Sequence, residues 1–129
     1  MAKTASELGP DEISAYRPWV SMEHHRKDPE VSVRKDAAWR VAQVVARMLK
    51  ERFKATRVVA FGSLVREGSF TLWSDIDLAV WGIAPEQYYG AAGTAMDIGL
   101  EKGIKVDVVD SEDCEPQFLV DIEKEGIDL

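Results

Sequence analysis

The sequence lacks most of what a disulfide-linked, thiolate-zinc or membrane protein requires. Cys114 is the only cysteine among 129 residues, which excludes an internal disulfide and a zinc site built from several thiolates. No apolar run approaches the ~20 residues that a membrane-spanning helix needs, and the first ten residues lack the apolar core of a signal peptide. We therefore expect a cytoplasmic protein with no membrane association.

Basic residues are also in deficit. The chain has 16 Lys and Arg residues against 23 Asp and Glu residues, a net charge of −7. This balance argues against a simple DNA-binding module or a domain that binds anionic lipid, because both need a positive surface. A nucleotide site stays open, because metal ions and local backbone amides can overcome net repulsion. The 46% hydrophobic residues suffice for the core of one compact domain.

Hydrophobic periodicity predicts alternating helices and strands. Apolar residues spaced by three and four predict helices, and short β-rich or alternating runs predict strands. The predicted helices cover residues 13–27, 33–53, 85–102 and 116–125, and the predicted strands cover 57–61, 75–81 and 104–110. Val44 is expected on the buried stripe of the second helix, and Phe118, Leu119 and Ile122 are expected to point inward from the last. This order indicates an α+β fold in which a small sheet is backed by helices.

The segment Asp75-Ile76-Asp77 carries the first chemical signal. Residues two apart on a strand project from the same face, so the two carboxylates point together while Ile76 points into the core. Neighbouring carboxylates repel each other, and a cation relieves that repulsion. Hard oxygen ligands of this kind suit magnesium.

A phosphate site is predicted at Gly62-Ser63, where the strand over residues 57–61 ends. Glycine lets the backbone approach a ligand closely. If a short helix begins at Ser63, its free amides would hold a phosphate, and the serine hydroxyl would add a hydrogen bond. A third carboxylate on the next strand would complete a two-metal site for nucleotidyl transfer. Asp107 is the best candidate, whereas Asp110 faces the other way and is expected to cap the strand end.

These pieces together resemble a known family. Three runs of the sequence look like the minimal nucleotidyltransferase (MNT) family of the polymerase-β-like superfamily. They are Val59-Ala60-Phe61-Gly62-Ser63-Leu64-Val65-Arg66-Glu67-Gly68, then Ser74-Asp75-Ile76-Asp77-Leu78-Ala79-Val80, and then Lys105-Val106-Asp107-Val108-Val109. The resemblance covers roughly residues 34 to 129, which we expect to form the nucleotidyltransferase domain, with a small mixed β-sheet. Residues 1–33 would be a partly helical N-terminal extension.

The resemblance implies specific roles for the matching residues. Asp75, Asp77 and Asp107 would be catalytic and hold two Mg²⁺ ions, while Gly62 and Ser63 would bind the phosphates of a nucleoside triphosphate. Arg66 would contact phosphate, or would be an ordinary exposed loop arginine. Apart from the resemblance, Trp81 has the strand parity of Asp75 and Asp77 and would flank a base, while Trp73 lies in the spacer beside the site; packing is the commoner role for such residues.

The family also implies a biological role. The expected reaction transfers a nucleoside monophosphate, AMP from ATP, to an acceptor. MNT proteins resemble the antitoxins of modules whose toxin is a helical HEPN ribonuclease, and some neutralise that partner by adding AMP to a tyrosine. Two alternatives remain open: a binding protein that neutralises its partner by contact alone, and an enzyme that modifies a small molecule such as an antibiotic, in which case a homo-oligomer could build the acceptor pocket.

Overall fold

The computed structural model describes residues 28–129. The helix predicted over residues 13–27 and the basic cluster at His24–Lys27 therefore lie outside the described residues. Within the described part, the chain forms helix α1 (Pro29–Phe53), strand β1 (Arg57–Phe61), strand β2 (Ile76–Trp81), helix α2 (Tyr88–Leu100), strand β3 (Val106–Asp110), helix α3 (Pro116–Glu125) and the short strand β4 (Ile127–Asp128). None of the helices in this part is long and apolar enough to cross a membrane.

Helix α1 begins at Pro29, earlier than the predicted start at Val33, because Asp28 caps it. The Asp28 carboxylate accepts a hydrogen bond of 2.8 Å from the backbone N–H of Glu30, and Pro29 occupies the first turn, where its missing N–H costs nothing. The helix ends at Phe53, and the next residue, Lys54, caps it in a left-handed conformation with φ of 64°.

The four strands form one mixed sheet in the order β3-β2-β1-β4. Strand β1 pairs antiparallel with β2 and with β4, whereas β2 and β3 are parallel. The parallel pair is connected through α2, as a parallel connection requires a crossover. The predicted α+β class with a small mixed sheet is therefore confirmed.

One face of the sheet is sealed by α1 and α2. Alternate strand residues point into this core, namely Val58, Ala60, Ile76, Leu78, Val80, Val106 and Val108. Gly99 brings α2 close to the sheet, because a Cβ at this position would collide with the backbone carbonyl of Ile104 and the side chain of Val106. Val44, predicted to be on the buried stripe of α1, is instead 54% exposed, so the stripe is narrower than the sequence pattern indicates.

The opposite face is covered only in part, by α3. Ile122 packs on Val59 and Ala79, and these three residues form a second, smaller core. Of the side chains predicted to point inward from α3, Ile122 is buried, Leu119 is partly buried, and Phe118 is 41% exposed while its ring meets Phe61 edge-on. The rest of this face carries the acidic residues that the sequence singles out.

Candidate functional site

Asp77 and Asp107 lie side by side on neighbouring strands. In the parallel register of β2 and β3, the Cα of Asp77 is paired with that of Asp107. Both side chains project from the face that α3 covers in part, because the residues on either side of each aspartate, such as Ile76 and Leu78, are buried in the opposite core. The fold therefore brings together two carboxylates that are 30 positions apart in the sequence.

Asp75 immediately precedes β2 and joins this pair electrostatically. The pKa of Asp77 is raised above its ordinary value, first by burial, then by the negative charge of Asp107, and then by that of Asp75. Asp75 has the same parity as Asp77, and the first residue of β2 is pinned by a hydrogen bond of 2.9 Å from Ile76 N–H to the carbonyl of Lys105. We call Asp75, Asp77 and Asp107 the carboxylate site.

Gly62 brings the end of β1 into contact with the carboxylate site. A Cβ on Gly62 would lie 2.5 Å from Oδ2 of Asp77, and its φ of +79° is unfavourable for any other residue. Gly62, Ser63 and Leu64 form a single 3-10 turn, whose first carbonyl accepts hydrogen bonds from the N–H groups of Val65 and Arg66. The short helix considered at Ser63 is a single tight turn that begins at Gly62, beside Asp77.

Arg66 lies near the same site but is already engaged. Its Nε donates a hydrogen bond of 2.9 Å to Oε1 of Glu125, the last residue of α3. Its positive charge also lowers the pKa of Asp77, partly opposing the effects of burial and of the acidic neighbours. Arg66 is thus an exposed arginine whose charge affects the pKa of Asp77, and its hydrogen-bond partner in the structure is Glu125.

Lys105 is a charged residue of the site that the sequence interpretation missed. Its Nζ lies 3.7 Å from Oδ1 of Asp107, and its charge also lowers the pKa of Asp77. A signal for it was present in the sequence, since Lys105 and Asp107 are two residues apart and therefore share a face. Glu125 carries no such signal, because its contact with Arg66 spans 59 positions.

The far end of the same sheet face holds a second charged group, which we call the Arg57 cluster. Arg57 donates hydrogen bonds to both carboxylate oxygens of Glu123, at 2.8 and 2.9 Å, and one of 2.7 Å to Asp128. Its guanidinium also lies 4.7 Å from the centroid of the Trp81 ring, a favourable cation–π contact. Trp81 is thus occupied in packing, whereas Trp73 is 78% exposed in the loop before Asp75.

The end of β3 holds Asp110, which was predicted to cap the strand, and the single cysteine, Cys114, follows it. Asp110 caps the following turn, because its Oδ1 accepts a hydrogen bond of 3.0 Å from the N–H of Glu112. Cys114 is a half-buried thiol whose Sγ lies 3.4 Å from the carbonyl oxygen of Asp110. Burial and then the charges of Asp110 and Asp113 raise its pKa, which opposes formation of a reactive thiolate.

The donor chemistry of the carboxylate site fits magnesium, although the protein provides only part of a coordination sphere. Across residues 28–129, no three acidic, histidine or cysteine side chains converge closely enough to hold a metal ion by themselves. Magnesium in nucleotide enzymes is commonly held by one or two carboxylates together with substrate phosphates and waters. The paired aspartates, whose mutual repulsion a cation would relieve, match that mode of binding.

Comparison with known families agrees with this geometry. The model of the family described as "Polymerase beta, Nucleotidyltransferase" matches residues 43–129, which include β1, the Gly62 turn, β2 and β3. The chain belongs to this nucleotidyltransferase family. No curated relative matches it by sequence.

Solved structures share the fold of this nucleotidyltransferase domain. A mutant MntA–HpeT toxin–antitoxin structure is 18% identical, with a TM-score of 0.55, and the alignment covers 67% of this chain and 70% of that one. A structure of tri-AMPylated Shewanella oneidensis HEPN toxin in complex with MNT antitoxin is 18% identical, with a TM-score of 0.51 and 70% of each chain covered. A second MntA–HpeT mutant is 20% identical, with a TM-score of 0.50 and coverages of 67% and 68%. The predicted membership of the polymerase-β-like nucleotidyltransferases is confirmed by the family model, and the MNT antitoxin structures share the fold.

Proposed function

We propose that this protein is a magnesium-dependent nucleotidyltransferase that transfers AMP from ATP to an acceptor. The observation that carries the proposal is the pairing of Asp77 with Asp107 on adjacent strands, with the backbone of Gly62 packed against Asp77. In this proposal Asp75, Asp77 and Asp107 hold two Mg²⁺ ions, and Gly62, Ser63 and Arg66 contact the triphosphate.

The residues of the chain would bind and orient the two reactants. The turn at Gly62 and Ser63 holds the triphosphate on the β1 side of Asp77, which leaves the Asp107 side for the acceptor hydroxyl. That hydroxyl gives up its proton to water, its oxygen forms a bond to the α-phosphorus, and the bond from the α-phosphorus to the bridging oxygen breaks, its electron pair leaving with pyrophosphate. Bound magnesium would neutralise the phosphate charge and lower the pKa of the acceptor hydroxyl.

We propose a HEPN-type toxin as the acceptor. The support is that the structural neighbours come from toxin–antitoxin pairs, one of which contains a tri-AMPylated HEPN toxin beside its MNT antitoxin. We place the modified side chain of this acceptor beside β3, where a cavity of small-ligand size lies. A cavity of about 590 Å³ begins at Val109, the next residue after Asp107 on the same face, and reaches Tyr88 and Phe118.

A second candidate function is neutralisation of such a partner by contact alone. The observation that favours it is the presence of two large exposed aromatic side chains, Trp73 and Tyr89, which are 78% and 84% exposed and of a type enriched in protein interfaces. A contact inhibitor needs no metal, so its effect on the partner would be independent of the carboxylate site.

One experiment separates the two functions. The protein is incubated with ATP labelled at the α-phosphate, Mg²⁺ and the purified product of any adjacent gene that encodes a small helical ribonuclease. Transfer predicts label on the partner that disappears with Asp77→Asn and persists with Asp121→Asn, a matched change at an exposed position of α3. Neutralisation of the partner that persists with Asp77→Asn and without label would overturn the proposed transfer.

A further inference from the structure

Lys105 occupies the flank of the carboxylate site that is farthest from the phosphate turn. It lies one residue before β3, and β3 is at the edge of the sheet next to β2. Gly62 approaches Asp77 from β1, on the other side of β2. The lysine is therefore beside Asp107, in the position where the acceptor would enter.

The backbone of Lys105 is held in place on both sides. Its carbonyl accepts a hydrogen bond of 2.9 Å from Ile76 N–H, and the preceding Ile104 donates one of 3.0 Å to the carbonyl of Gly99. Ile104 and Val106 are each only 1% exposed. The ammonium group therefore extends from a fixed point, and its range is set by its own side chain.

The contact between Lys105 and Asp107 is loose. The separation of 3.7 Å exceeds a normal hydrogen bond, and about half of each side chain is exposed, at 53% and 41%. Exposed ion pairs of this kind contribute little to stability. The charge of Lys105 nevertheless reaches beyond this pair, since it also favours the ionised form of Asp77 and lowers the pKa of that carboxyl.

We propose that Lys105 is a positioning residue that competes with the divalent cation for Asp107 and so sets the cation concentration at which the carboxylate site fills. The inference rests on the proposed function, in which Asp107 is a metal ligand. The ammonium partly neutralises the acidic residues when no cation is bound, and it opposes the arrival of a second positive charge.

Cation binding without nucleotide tests this role directly. Mn²⁺, used as a probe for the magnesium site, is titrated into the full-length protein by calorimetry, and the wild type is compared with Lys105→Met, which keeps the length of the side chain and removes its charge. Affinity is expected to rise about three- to tenfold, the change produced by removing one unit charge a few ångströms from a half-exposed divalent site. The gain should shrink in 0.5 M KCl, which screens that charge.

Three further variants complete the test. Lys105→Arg keeps the charge and should bind Mn²⁺ like the wild type. Lys102→Met removes a charge from an exposed lysine that lines a groove beside α1, behind the opposite face of the sheet, and it should also leave Mn²⁺ binding unchanged. If Lys105→Met destabilises the fold, Lys105→Gln provides the same charge removal with a polar side chain.

The possible outcomes distinguish this inference from the function on which it rests. In one outcome, Mn²⁺ binding is lost in Asp107→Asn, but its affinity in Lys105→Met and Lys105→Gln equals that of the wild type or is weaker. This result would overturn the role of Lys105 and leave the metal site intact. A wild-type protein that binds no Mn²⁺, with or without an ATP analogue that cannot be cleaved, would instead overturn the metal-dependent function itself.

Discussion

The two charged groups on the partly covered face of the sheet are built in opposite ways. In the Arg57 cluster, unlike charges meet at 2.7 to 2.9 Å, and the guanidinium also stacks on Trp81. In the carboxylate site, like charges are adjacent, and the Lys105 ammonium lies 3.7 Å from Asp107, beyond normal hydrogen-bond distance. The pKa values of Glu123 and Asp128 are lowered, mainly by hydrogen bonds from Arg57, whereas burial and acidic neighbours raise the pKa of Asp77.

This difference separates a structural arrangement from a functional one. Charges that satisfy each other inside the chain need no further ligand, so the Arg57 cluster serves to join β1, α3 and β4. Like charges that repel each other inside the chain lose that repulsion when a cation binds between them. The carboxylate site therefore costs stability in the isolated protein, which is typical of sites that bind a cation or substrate.

The largest expected effect comes from Asp107→Asn. We expect transfer of AMP to fall by about 100-fold or more, because loss of an anionic ligand weakens the proposed metal site. Stability without metal should be equal or higher, because repulsion at Asp77 is relieved. The matched change Asp128→Asn in the Arg57 cluster should do the reverse and leave activity intact while lowering the unfolding midpoint. Rates of transfer and thermal unfolding in EDTA measure both effects.

Gly62→Ala should affect stability and activity together. The new Cβ would collide with the Asp77 carboxylate at a φ of +79°, and such strain costs about 1–3 kcal/mol. Urea unfolding measures the loss. Gly93→Ala is the control, since nothing lies within 4 Å of the new atom in the middle of α2, where alanine should stabilise the protein by about 0.5–1 kcal/mol. Equal stability of the two variants would contradict the close packing of the turn.

Arg57→Met should lower stability by less than Gly62→Ala and leave nucleotidyl transfer unchanged. The variant keeps an apolar stem over Trp81 but removes the hydrogen bonds to Glu123 and Asp128. Pairs this exposed contribute little individually, so the loss arises from detaching α3 and β4 together. A large drop in transfer, with the fold intact, would show that the two charged groups are not independent.

The smallest expected effect is the pH dependence of the stability difference between the wild type and Arg57→Met. Because Glu123 and Asp128 have folded pKa values below their ordinary ones, they stabilise the fold at neutral pH, and this contribution is lost as pH falls through the folded pKa values. The stability gap between wild type and Arg57→Met should therefore be widest above about pH 5 and narrow below about pH 4. Unfolding in urea from pH 7 to pH 3 measures the gap, and a constant gap would exclude the ion pairs as its source.

The sequence predicts the local parts of this molecule well. The boundaries of β1 and α3 are recovered without error, because a β-rich run ending in glycine and a helix framed by Pro116 and Gly126 are signals carried by neighbouring residues. The shared face of Asp75 and Asp77 follows from strand periodicity alone. The short strand β4 was missed, because two residues carry no periodicity and this strand exists only through its pairing with β1.

Contacts between distant segments are where sequence reasoning fails. Two-metal chemistry and strand position single out Asp107 as a candidate third carboxylate, but no local pattern fixes the register of two parallel strands joined by a helix, so its pairing with Asp77 is seen only in the structure. The pairing of Arg66 with Glu125 and of Arg57 with Glu123 depends on where α3 crosses the sheet. The exposure of Val44 likewise depends on how far α2 extends along α1, which periodicity does not specify.

The contact between Arg66 and Glu125 has a consequence for the end of the chain. Glu125 is followed directly by Gly126 and β4, so the residue that holds Arg66 also begins the last connection to β1. In the proposed function, a triphosphate that draws Arg66 toward itself leaves Glu125 without this partner. An exposed ion pair of this kind contributes little to stability, and the Arg57 cluster still joins α3 and β4 to β1. Arg66 can therefore exchange one anionic partner for another at little cost to the fold.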